Sequence, residues 1–74
     1  MNEEEAMRIA QTIISHNESL LADGKCTLTE ARRGLMTVRH ELTQRGAPNR
    51  AISLLDSAIT DFLETYSSDE GTQH

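Results

Sequence analysis

Apolar residues recur along this chain at intervals of three and four in three separate stretches. The first holds Ala6, Ile9, Ala10, Ile13, Ile14, Leu20 and Leu21. In the second, Leu28, Leu35 and Leu42 alternate with Ala31 and Val38, and in the third Ile52, Leu55, Ile59, Phe62 and Tyr66 keep the same rhythm. Residues three and four apart share one face of an α-helix, so each stretch predicts an amphipathic helix whose stripe must be covered.

Start and stop signals bound the three helices at about 3–22, 28–45 and 48–66. Asn2 with Glu5 and Thr27 with Glu30 have the spacing of capping boxes, in which a side chain accepts from the free backbone N–H groups of the first turn. Glu3 and Glu4 suit the positive end of the first helix dipole. Asp23-Gly24 and Arg45-Gly46 close the first two helices, because glycine adopts the left-handed conformation a helix end requires. Pro48 fits the first turn of the third helix, with Asn49 as the competing cap. Gly34 falls inside the second helix, where it costs about 1 kcal/mol relative to alanine; it either allows close approach of a neighbour or is simply tolerated. Residues 67–74 carry no stripe and read as a disordered polar tail.

The two connections are about four residues long, which favours antiparallel neighbours. The expected fold is therefore all-α: a single domain over residues 1–66, a three-helix up-down-up bundle. Three helices closing on one core need only a stripe each. The first and third have wider apolar faces than that, and a chain of 74 residues is near the lower size limit for a self-sufficient core. Both points favour a homodimer or another protein partner, with Ile9, Ile13, Ile14, Leu21, Leu54 and Leu63 as its anchors. Asn17 lies near the centre of the first apolar arc. An amide there either pairs with its copy across a dimer axis or swings out to solvent.

Composition narrows the chemistry. Cys26 is the only cysteine, so neither an intrachain disulfide nor a cysteine-rich metal site is available. The first residues, Met1-Asn2 and three glutamates, are unlike a targeting peptide, and no apolar run could span a bilayer; a cytoplasmic protein is expected. His16, His40 and His74 are scattered, and no phosphate loop, HExxH or EF-hand pattern occurs. The reading is of a protein that is not an enzyme and needs no cofactor or metal.

The net charge of −5 is unevenly spread. Residues 1–24 and 51–74 are acidic, whereas residues 25–50 hold six of the seven basic side chains. Arg32, Arg33, Arg39 and Arg50 form a candidate contact for an anionic partner, which keeps a nucleic-acid-associated regulator open as the alternative. Against it stand the acidic flanks and the absence of interleaved aromatics. The leading expectation is a small cytoplasmic interaction protein of adaptor, anti-adaptor, co-chaperone or inhibitor type. The order helix, Asp23-Gly24, helix, short loop, helix, acidic tail, with its leucine spacing over residues 20–70, loosely resembles small enterobacterial connector proteins of biofilm and acid-stress regulation. That resemblance implies a regulatory role and carries over no site residue.

Overall fold

The computed structural model describes the backbone of residues 1–71 and the side chains of residues 1–66. It consists of three helices, α1 (Glu3–Ala22), α2 (Leu28–Gln44) and α3 (Asn49–Gly71), and each packs on the other two. No strand occurs among the described residues. The all-α three-helix fold expected from periodicity is the fold observed.

Both predicted caps form, but only one of the two predicted boxes is complete. Asn2 accepts from the Glu5 N–H at 2.8 Å. At α2 the box is complete: Thr27 Oγ1 accepts from the Glu30 N–H at 3.1 Å, and the Glu30 carboxylate accepts from the Thr27 N–H at 2.9 Å. Both helix ends that close on glycine form a Schellman motif. The Lys25 N–H reaches the Leu20 carbonyl and the Gly24 N–H reaches Leu21; after α2, Ala47 reaches Leu42 and Gly46 reaches Thr43. Gly24 and Gly46 take φ of 70° and 75°, values that strain any residue with a Cβ.

The Glu30 pKa is lowered, first by the hydrogen bond from the Thr27 backbone, then by the Thr27 side chain. A carboxylate depressed in the folded state stabilises α2 above its ordinary pKa, and that contribution disappears as pH falls through the lowered value. Thr27→Ala is expected to return the Glu30 titration, followed by NMR, toward the ordinary glutamate value and to cost about 1 kcal/mol of stability. An unchanged titration would show that the box does not persist in solution.

Two boundaries of α3 differ from expectation. Pro48 lies just outside it, and its carbonyl accepts from the Ala51 and Ile52 N–H groups, which makes it the residue that launches the helix rather than its first member. At the other end the helix continues past Tyr66 through Gly71, the last residue whose backbone is described, so residues 67–71 of the expected tail extend α3. Residues 72–74 of that tail lie outside the described residues.

The core is built largely from small side chains. Among the described residues, half of the ten buried apolar ones are alanines: Ala6, Ala10, Ala31, Ala51 and Ala58. Leu35 and Leu55 are the large side chains wholly removed from solvent, with Leu42, Ile59 and Phe62 beside them. Phe62 meets Tyr66 edge to face, ring centres 6.1 Å apart. Alanine lets helices approach closely but shelters little apolar area, so larger side chains remain at the bundle margin.

Candidate functional site

The inner face of α1 explains where its large residues go. Its buried positions are Ala6, Ala10 and Asn17. Ile13, Ile14 and Leu21 pack half-buried against the core edge, and Ile9 stays 38% exposed. Ile9 and Ile13 open into a groove of about 420 Å³ between α1 and α2, lined by Arg8, Ile9, Thr12, Ile13, His16 and Val38. The floor is apolar; the two basic side chains come from α1, eight residues apart. That separation is about 12 Å along a helix.

Asn17 follows the groove-lining His16 along α1. Its Nδ2 donates to the Ile13 carbonyl at 2.9 Å, and the side chain is buried against Gly34 of α2. A Cβ at Gly34 would lie 3.3 Å from Asn17 Oδ1, closer than a side chain ordinarily sits. The glycine is therefore the space in which the amide fits. The amide thus lies inside its own chain's α1–α2 contact, a third arrangement beside the cross-axis pair and the solvent-facing rotamer considered from sequence.

The other expected anchors do not share the groove. Leu54 is half-buried and lines a more polar depression of about 390 Å³ with Met7, Asn49, Arg50, Ser53 and Ser57. Ile14 and Leu21 contribute to neither hollow. Leu63 is 40% exposed and Met36 45%. Neither is among the residues lining the two hollows.

The arginines divide in the same way. Arg39 Nε lies 2.5 Å from Asp56 Oδ1, joining α2 to α3, and Arg50 Nη1 lies 3.5 Å from Glu3 Oε1, joining α3 to α1. Asp56 is thus an ion-pair partner across the α2–α3 contact, with its side chain still partly exposed. Arg33 is exposed; Arg32 is half-buried, and its Nε has no hydrogen-bond acceptor among the described residues. His16 and His40 are exposed on different helices, Cys26 packs at the core edge, and His74 lies outside the described residues. Among the described residues no group of histidine, cysteine and carboxylate side chains converges as a metal site would require. None of the helices is long and apolar enough to cross a membrane, again among the described residues.

Sequence reasoning found Ile9 and Ile13 but missed Arg8, Thr12, His16 and Val38 as the rest of the groove. The available signal was the spacing of residues 9, 12, 13 and 16, which marks one flank of α1. No family model, curated protein or solved structure matches the chain, and the resemblance to connector proteins gains no support from these comparisons.

Proposed function

We propose that this chain is a small cytoplasmic protein-interaction module of regulatory type, an adaptor, anti-adaptor, co-chaperone or inhibitor that performs no catalysis itself. The observation that carries this reading is the open apolar groove between α1 and α2, floored by Ile9, Ile13 and Val38. Its volume and apolar floor suit the ridge of a helix from a protein partner, which would dock with side chains at i, i+3 and i+4.

The reading takes the helices as an up-down-up bundle. Three contacts support that course: Asn17 against Gly34, Arg39 with Asp56, and Arg50 with Glu3. Exposed ion pairs of this kind add little stability, and their main effect is to orient the helices. They also weaken the nucleic-acid alternative, since two of its four arginines already face carboxylates.

An apolar fluorescent dye tests the groove. In dilute solution, at about 1 µM, where weak partners separate, the dye is expected to brighten on binding the wild-type chain. Ile9→Asp and Val38→Asp should remove most of that signal with helicity unchanged by circular dichroism. Leu63→Asp, away from the groove, should keep it. Equal brightening in all four proteins would remove the groove from consideration.

A further inference from the structure

The groove does not specify its occupant, but the flank of α1 beside it does. Glu5, Ile9, Thr12 and His16 follow one another at intervals of four, three and four, and so lie on a single strip of the helix. All four are exposed. The strip is acidic at one end, apolar in the middle and basic at the other, over about 16 Å of helix.

Of the three first-turn glutamates, Glu3 is held by Arg50 and Glu4 by Arg8, whereas the Glu5 carboxylate has no ion pair or hydrogen bond among the described residues. The His16 imidazole has none either. A strip ordered this way is its own complement when one copy is turned end for end. Around a two-fold axis between Ile9 and Thr12, Glu5 falls opposite the second copy's histidine, and Ile9 opposite its threonine. The symmetry makes each contact twice.

We infer, building on the docking function proposed above, that the occupant of the α1–α2 groove is a second copy of this chain. The two α1 helices would pair antiparallel, with a Glu5–His16 contact at each end of an Ile9–Thr12–Ile13 centre. One imidazole nitrogen always carries a proton that the carboxylate can accept as a hydrogen bond. The apolar centre supplies affinity, and the end pairs select direction and register.

Charge reversal tests the pairing, read by sedimentation equilibrium of the full chain. The wild type is expected to show a monomer–dimer equilibrium. Glu5→Lys and His16→Glu should each weaken the dimer by about tenfold or more, since each places like or unfavourable groups at both ends. The double variant, with both changes in one chain, should recover to within about threefold of wild type. An equimolar mixture of the two single variants should form a heterodimer tighter than either homodimer, because every end contact then joins complementary groups. Circular dichroism confirms that each variant is folded.

A wild-type chain that stays monomeric at about 500 µM would overturn this inference. It would leave the groove reading intact if Ile9→Asp still removed the dye signal. A dimer whose strength ignores all the charge changes would place self-association on another face and equally overturn the inference. A loss of dye discrimination would instead sink the groove itself.

Discussion

Leu55→Ala is expected to lower the melting temperature by about 10–20 °C and to remove a large share of the chain's stability. Leu55 is wholly buried, and with Leu35 it is one of the two large side chains shut off completely from water. A leucine-to-alanine change at such a site removes transfer free energy and leaves a cavity, together about 2–5 kcal/mol. Chains of this length have about 4–11 kcal/mol of total stability, and each 1 kcal/mol is worth about 4–8 °C. The alanines of the same core cluster, Ala10, Ala31 and Ala58, sharpen the effect, because they have no side-chain length with which to fill the gap. Met36→Ala, at an exposed site, serves as the control and should change stability by less than about 0.5 kcal/mol. Thermal and urea unfolding check both. A shift below about 5 °C for Leu55→Ala would mean that the core is looser than described.

Gly34→Val should be the second most damaging change, at about 2–3 kcal/mol. The added Cβ alone would sit 3.3 Å from Asn17 Oδ1, and valine adds two methyl groups beyond it. Overpacking a tight contact costs about 1–3 kcal/mol. Replacing glycine within a helix returns only part of this through propensity, less for a β-branched residue than for alanine. Asn17 has little freedom to yield, since it is buried and its amide is tied to the Ile13 carbonyl. The signature of this mechanism is coupling. Asn17→Ala should remove most of the penalty of Gly34→Val, so the double variant should be more stable than the sum of the singles implies. Strict additivity would show that the two residues do not share this space.

Local chemistry was readable from the sequence to within a residue or two. The caps at Asn2 and Thr27 and the glycine stops at Gly24 and Gly46 depend on neighbours close along the chain, and all four fall where their spacing indicates, although the reciprocal half of the box at Asn2, a Glu5 carboxylate accepting from the cap N–H, does not form among the described residues. Partnerships between helices were not readable. Asn17 stood out as an amide in an apolar stripe, and Gly34 as a helical glycine, but nothing in their order links residue 17 to residue 34. The same holds for Arg39 with Asp56 and Arg50 with Glu3. Each depends on the rotation of two helices about their own axes, which periodicity constrains to a face rather than to a side chain. The groove was half legible for this reason. Ile9 and Ile13 announced a surplus of apolar surface, while Val38 was indistinguishable from an ordinary core position of α2.

The alanines that line the inner side of α1 have a mechanical consequence. With Ala6, Ala10 and Asn17 as its sheltered contacts, α1 grips the other two helices with less greasy surface than they apply to each other through Leu35, Leu42, Leu55 and Phe62. Its larger core contacts, Ile13, Ile14 and Leu21, are only half-buried, so α1 is expected to be the first rod to peel away when the chain breathes. Whatever settles on its outer isoleucines therefore clamps the weakest seam, and binding there tightens the whole molecule in proportion to how much of the binder is present.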